Sequence, residues 1–238
     1  DNFEHYYDIA ITYLGKVIKE NKHDLKQSYE ELWYNECNWT TANNDDVIFA
    51  IPMLKSVTSR YGYNVGVTIA GDKHEYGSAS NYLHYCGTYM FTFDGDDLRR
   101  DVTCAPYKYD KNLNQEMDMG IAGMGVGKYR INWKKVRGSS DSKRDFNWPV
   151  LRYSDVLLMY AEALNELNNG ATPEAEKAVE DVRLRAFNND ASKVGTIPSG
   201  YEEFRNFIIQ ERKLELSNEG LRKSDLARWG ILVDYLTT

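Results

Sequence analysis

The sequence predicts a mainly α-helical protein: tetratricopeptide-like helical hairpins enclosing a long loop-rich insertion with minor β structure. Three observations predict it. Apolar residues recur at helical spacing near both ends of the chain, over residues 2–20 and again from Ser154 onward. Between about Ser56 and Asn147 that periodicity nearly disappears into glycines, asparagines and aromatics. Two adjacent helices near the C-terminal end are joined by a tight Gly170 to Pro173 turn with small residues at their contact, which resembles a tetratricopeptide hairpin, although the spacing alone fits any helical hairpin.

Taken in order, residues 2–20 form an amphipathic helix with Ile9, Ala10, Tyr13, Leu14, Val17 and Ile18 on one stripe, and Asp1 with Glu4 fits a cap. Ser28 and Glu31 make a capping box before Leu32 and Trp33. Asn43-Asn44-Asp45 is turn chemistry, and Val47 to Ile51 is a short strand stopped by Pro52. The stretch WPVLRYSDVLLMYAEALNELNNG, Trp148 to Gly170, organises the remainder. Val156, Leu157, Met159, Tyr160, Ala163, Leu164 and Leu167 cover so much of its circumference that it should pack on two sides. Ser154 or Asp155 can cap its start, and Gly170 suits a left-handed stop. Thr172-Pro173-Glu174 opens the next helix, with Ala175, Ala178, Val179, Val182 and Ala186 on its inner side. Ser199 and Glu202 cap a further helix that Gly220 should end, and a short one follows from Leu221 to Leu232. The expected division is therefore helical over 1–45, short strand and loop-rich, ligand-facing, over 46–148, and helical over 149–238.

The totals exclude several functions. A charge of −7 without a basic block argues against a nucleic-acid or anionic-membrane surface. No run approaches the ~20 apolar residues of a membrane span. Cys37, Cys86 and Cys104 are widely spaced, so a zinc site is not expected, and any one disulfide is left open. The glycines at 120, 123, 125 and 127 before Lys128 miss the phosphate-loop spacing, because Ala122 and Tyr129 occupy the positions that need glycine and serine or threonine. The four histidines show no ligand spacing. No cofactor and no metal are expected.

Three constellations remain. Six of the 18 tyrosines fall between Tyr61 and Tyr89. Tyrosine offers a rigid apolar face with a polar tip, suited to the C–H faces of sugar rings. Tyr61, Tyr63, Tyr76, Tyr82 and Tyr85 are the candidate ligand-binding residues, with Asn64, Asp72, His74, Glu75 and Asn81 as flanking partners for hydroxyls; the competing reading is that the rings pin the loop onto the helices. Asp94, Asp96, Asp97 and Asp101 lie among Arg99 and Arg100. Paired carboxylates can serve glycoside hydrolysis or hold calcium, but the arginines point to internal ion pairs. In ERKLELSNEGLRKSDLARWG, Glu211 to Gly230, charges one turn apart (Arg212 and Glu215, Glu219 and Arg222, Asp225 and Arg228) read as a network locking the last helices together.

That last segment, together with PVLRYSDVLLMYAEALNE (Pro149 to Glu166) and VRLRA (Val182 to Ala186), resembles the SusD/RagB family. Weaker similarity covers Tyr29 to Ile51 and Asp97 to Arg100. The resemblance implies a SusD-like α-α superhelix of tetratricopeptide-type helices. It also implies a non-catalytic, outer-membrane, cell-surface lipoprotein that captures oligosaccharides or polysaccharides for import by a SusC-like TonB-dependent transporter. The family's conspicuous motifs are structural, so none assigns a binding residue here; its glycan contacts are commonly aromatics in variable loops. Family members carry an N-terminal lipid-bearing cysteine and a longer upstream region, so this chain is expected to be a C-terminal part, with membrane attachment only through a lipid it does not contain. The alternative is a tetratricopeptide-like protein-interaction module without glycan affinity. A hydrolase using Asp96 or Asp97 ranks last.

Overall fold

A computed structural model describes residues 3–38, 40, 46–53, 61–71, 76–118, 124–134 and 146–237. The element order is α1 (Phe3–Glu20), α2 (Tyr29–Asn38), β1 (Val47–Ile51), α3 (Tyr61–Asn64), α4 (Arg99–Thr103), β2 (Cys104–Ala105), β3 (Tyr107–Tyr109), β4 (Gln115–Met117), β5 (Gly125–Val126), β6 (Trp148–Arg152), α5 (Tyr153–Asn168), α6 (Pro173–Ala186), α7 (Tyr201–Glu215), α8 (Arg222–Arg228) and α9 (Leu232–Thr237), with 3-10 turns at Gly87–Thr92, Ile131–Trp133 and Ala191–Lys193. The longer helices fall where periodicity predicts them, whereas the short α3 and α4 lie in the middle where it predicts none, and the one helix expected from Leu221 to Leu232 is two, α8 and α9. Among the described residues the loop-rich middle and its edges hold more strand than the sequence suggests: three two-stranded antiparallel sheets, β1 with β6, β2 with β5 and β3 with β4. Strands of two or three residues are too short for an alternation pattern to register.

Helix α5 packs against α1, α6 and α7, so the expectation of burial on two sides holds. Leu157, Leu158, Ala161 and Leu164 meet Ala175, Ala178, Val179 and Val182 of α6 and Phe204 and Ile208 of α7. Ile11 and Ile18 of α1 join the same core, whereas Ile9 and Tyr13 of the expected stripe are exposed. The stripe is rotated because α1 meets α5 at Gly15, where an added methyl would lie 3.6 Å from Tyr160 Cε2. A second core lies under the loops. It is built on Tyr29, Leu32 and Trp33 of α2, with Val65, Val67, Ile69, Tyr129 and Ile131 around them.

The ends of the helices differ instructively from expectation. Thr172 caps α6 by accepting from the Ala175 amide at 3.2 Å, and Ser28 Oγ accepts from Glu31 N at 3.1 Å. Helix α5 begins one residue earlier than its expected caps, after Arg152. Its cap is Asp46, 108 residues away: Oδ1 accepts from Ser154 N at 2.9 Å and the carbonyl from Tyr153 N at 2.7 Å. Asn169, rather than Gly170, takes the left-handed C-cap. Gly200, rather than Ser199, is the N-cap of α7. That helix stops at Glu215, and Gly220 instead closes the turn beyond it with a φ of +84°. The Asp1–Glu4 cap and the turn at 43–45 lie outside the described residues.

Glu215 is the hub of a buried ion network. Its Oε1 accepts from Arg152 Nη1 at 2.9 Å and Arg185 Nη2 at 2.5 Å, and its Oε2 from Arg99 Nη1 at 3.1 Å. Its main-chain carbonyl accepts from the Tyr29 hydroxyl, Arg152 Nη2 and Lys128 Nζ. Glu219 holds Lys128 at 2.7 Å and Arg152 through both Nε and Nη2. Asp46 pairs with Arg152 and Arg185, Asp97 with Arg99, and Glu211 with Arg99 and Arg183. Of the short-range pairs read from the sequence, Asp225–Arg228 forms at 3.0 Å. Arg212 turns to Asp155 and Asp225, and Arg222 donates to Ile209 O and the Tyr235 hydroxyl. In the acidic cluster Asp97 pairs inward with Arg99, while Asp96 meets Lys193 at 3.2 Å and Asp101 meets Arg100 at 2.8 Å on the surface.

Burial alone would push the Glu215 carboxyl up, but the charges of Arg185, Arg152, Arg99 and Lys128 outweigh it and hold it well below the usual carboxylate range. The balance is the same for Asp46: burial opposes ionisation, while Arg152 and Arg185 lower its pKa. Removing one partner leaves a buried charge uncompensated, so Arg152→Met is expected to cost about 3–5 kcal/mol in denaturant unfolding. Both carboxyls are more acidic folded than unfolded, so their stabilisation is complete above the unfolded pKa. It is lost as the pH falls below about 4.5 towards the folded values. The unfolding midpoint should therefore drop steeply between pH 5 and pH 3, and less steeply in Glu215→Gln; equal slopes would refute the assignment.

Candidate functional site

The segment from Asn81 to Phe93 divides its aromatic residues between two directions. Tyr85, Tyr89 and Phe93, spaced four apart, turn inward. The Tyr85 and Tyr89 rings stack at 4.7 Å with 14° between planes, and Phe93 meets Tyr89 edge-on at 5.4 Å. The Tyr85 hydroxyl lies 2.7 Å from Ser217 Oγ, and the Tyr89 hydroxyl donates to Lys213 O at 2.8 Å. Both residues belong to the end of α7 and the turn after it, so the loop is fastened to the element that carries Glu215.

Tyr61 is fastened there as well. Its hydroxyl accepts from Asn218 Nδ2 at 3.0 Å, and its ring is edge-on to Trp148 at 4.7 Å and to Tyr129 at 5.1 Å. Burial pushes the Tyr61 and Tyr85 hydroxyls above their ordinary values, so both stay protonated. Tyr76 packs against the core under the loops, and Tyr63 is half-buried, its carbonyl accepting from Ser80 N.

Facing outward from this pinned layer are Tyr82, 69% exposed, Leu83, 51%, and Phe91, 77%. Tyr82 is held by its backbone, N to Asn64 O at 2.7 Å, leaving its ring free of the core. The five sequence candidates are thus of two kinds: Tyr82 presents its ring to solvent, whereas Tyr61, Tyr63, Tyr76 and Tyr85 are packed wholly or in part beneath. Of the flanking polar residues, Asn64 and Asn81 bury their side-chain carbonyl oxygens, neither with a partner among the described residues. Asp72, His74 and Glu75 lie outside the described residues. Sequence reading missed Leu83 and Phe91. The four-residue spacing of Tyr85, Tyr89 and Phe93 was the available signal, because it fixes the inward face of that segment and leaves Phe91 on the other.

Among the described residues, no group of three His, Cys, Asp or Glu side chains can hold a metal ion. All three cysteines are free thiols, Cys37 and Cys104 buried and Cys86 exposed. No described helix is long and apolar enough to cross a membrane. The surface can stack on apolar rings.

Comparison with known proteins gives this architecture its place. SusD-like protein P2 of Formosa agariphila is 30% identical over 204 residues, which is 79% of this chain and 40% of that protein. SusD-like protein P25 of the same organism is 45% identical over 89 residues, 37% of this chain and 16% of its own. A SusD homolog from Bacteroides thetaiotaomicron superposes with a TM-score of 0.87 at 28% identity, over 97% of this chain and 50% of that one. Surface glycan-binding protein A of the same species, in complex with laminarihexaose, superposes at 0.71 with 20% identity, over 97% of this chain and 51% of its own. The chain thus spans about half or less of the length of these relatives. The SusD family model matches residues 6–237, hairpins and loop-rich middle together, and the chain belongs to the SusD family.

Proposed function

We propose that the protein containing this chain is a non-catalytic glycan-binding lipoprotein of the outer membrane. In this reading it captures oligosaccharides at the cell surface for import by a SusC-like TonB-dependent transporter. The observation that carries the reading is the exposure of Tyr82, Leu83 and Phe91 in a segment whose other tyrosines, Tyr85 and Tyr89, are tied by their hydroxyls to the end of α7 and the turn after it. Exposed rings on a rigid backing offer stacking surface at little ordering cost, as carbohydrate binding needs. Family membership supports the same class of ligand, and a protein of this fold has been solved with laminarihexaose. The absence of catalysis is supported by the carboxylates nearest the sequence's hydrolase reading: Asp97 is buried against Arg99, and Asp96 pairs with Lys193.

In the full-length protein, Tyr82→Ala and Phe91→Ala should each weaken the best-bound oligosaccharide about tenfold by calorimetry, roughly 1.4 kcal/mol. Their unfolding free energies should stay within about 0.5 kcal/mol of the parent. Tyr61→Ala should do the reverse in kind, losing about 3 kcal/mol of stability because its ring fills the space between Trp148 and Tyr129. Co-purification with a transporter but no affinity for any oligosaccharide would instead favour the protein-interaction module.

A further inference from the structure

A cleft of about 400 Å³, sharing no residue with the outward aromatic face, opens between the start of α2, helix α4, strand β3 and the segment after β5. Arg130, 9% exposed, lines it. Its guanidinium is held from behind: Nε donates to Gly127 O at 2.8 Å, and Nη2 to Asp101 O at 2.7 Å and Val102 O at 3.4 Å. The group also lies over the Trp133 ring at 4.6 Å and the Tyr107 ring at 5.7 Å. An arginine has five N–H donors, and the bonds Arg130 makes among the described residues use Nε and Nη2, which leaves the two on Nη1. Fixed donors of this kind, next to the half-buried Tyr107 ring, make a recognition group whose conformational cost is already met by the fold. Glu30 places an exposed carboxylate acceptor among the lining residues, whereas the exposed Asp101 carboxylate already accepts from Arg100, Nε to Oδ1 at 2.8 Å and Nη2 to Oδ2 at 3.3 Å; Leu98 is an apolar member that is 50% exposed.

We infer that this cleft is a second carbohydrate subsite, selective for neutral sugars. One ring lies against Tyr107, with its hydroxyls accepting from Arg130 Nη1 and donating to Glu30. Pockets for small ligands run from roughly 300 to 1,000 Å³, so this one accommodates a short stretch of glycan rather than a long one. Glu30 offsets the charge of Arg130, and Arg100 that of Asp101, so the lining has no net charge with which to attract an acidic sugar. The inference rests on the glycan-binding reading and assigns it a second contact point.

Calorimetry on the full-length protein decides the matter, with laminarihexaose, maltohexaose, cellohexaose, xylohexaose and an oligogalacturonate as probes. Leu98→Trp, which fills the cleft, should weaken at least one neutral hexaose fivefold or more with an unchanged unfolding midpoint. Should that variant fold poorly, Glu30→Gln combined with Asp101→Asn keeps the question open to measurement. This pair should weaken the same hexaose at least threefold and raise the relative affinity for oligogalacturonate. Neutral binding that is lost in Tyr82→Ala but untouched by the cleft variants overturns the subsite alone. A parent protein that prefers oligogalacturonate, with the preference abolished by Leu98→Trp, overturns the neutral assignment. Absence of binding to every probe removes the glycan-binding reading and the subsite with it.

Discussion

Glu215 is the point on which the fold depends. A carboxylate with no exposure is unfavourable unless surrounding charge and hydrogen bonds compensate for lost water. Here compensation comes from three arginines on the side chain and from a lysine, an arginine and a tyrosine on the main-chain carbonyl. Those groups come from α2, α4, the segment after β5, β6 and α6. Asp46 and Glu219 complete the charge balance around Arg152 and Arg185. Such a network is a weak source of net stability compared with apolar packing, but it penalises any arrangement that leaves one member unpaired. It therefore specifies how the helical half and the loop-rich half meet.

The same turn that carries the network positions the aromatic face. Between Lys213 and Asn218, α7 and the residues after it collect the hydroxyls of Tyr29, Tyr61, Tyr85 and Tyr89. The described parts of the long loops thus lack extended regular structure yet are fastened to the helices. Their rings interlock edge-on and stacked, and their polar tips end on a segment fixed by buried charge. The helix stop at Glu215 follows from this arrangement. The turn that Asn218 and Gly220 make in left-handed conformations brings Glu219 back to Arg152 and Lys128, which a continued helix would not do.

Much of the helical fold was legible in the sequence because helix formation is local: the periodicity of α5 and α6, the Thr172 cap and the Ser28 cap all report on neighbours a turn away. Charge partners were not legible in the same way. Arg152 and Arg185 find Glu215 and Asp46 across 30 to 139 residues, and nothing in i to i+4 spacing encodes that choice. Asp46 as the cap of α5 is hidden for the same reason. The tyrosine cluster was visible as a density, but density is silent on direction. Tyr61 and Tyr82 look alike in sequence; one is wedged between Trp148 and Tyr129, and the other faces solvent.

That division bears on how such a surface recognises anything. With most of the nearby hydroxyls already bonded to the scaffold, the outward groups contribute ring faces and apolar edges, and few fixed donors. Stacking on single rings is tolerant of sugar identity and modest in strength, about 0.5–1.5 kcal/mol beyond buried area for an aromatic pair. Selectivity then has to come from somewhere with oriented polar groups. In the described residues the unbonded donors of Arg130, held rigid by three backbone carbonyls, are such a place. A face that grips weakly and a cleft that discriminates would together bind a long chain more tightly than either alone, since the second contact is made within an already bound molecule.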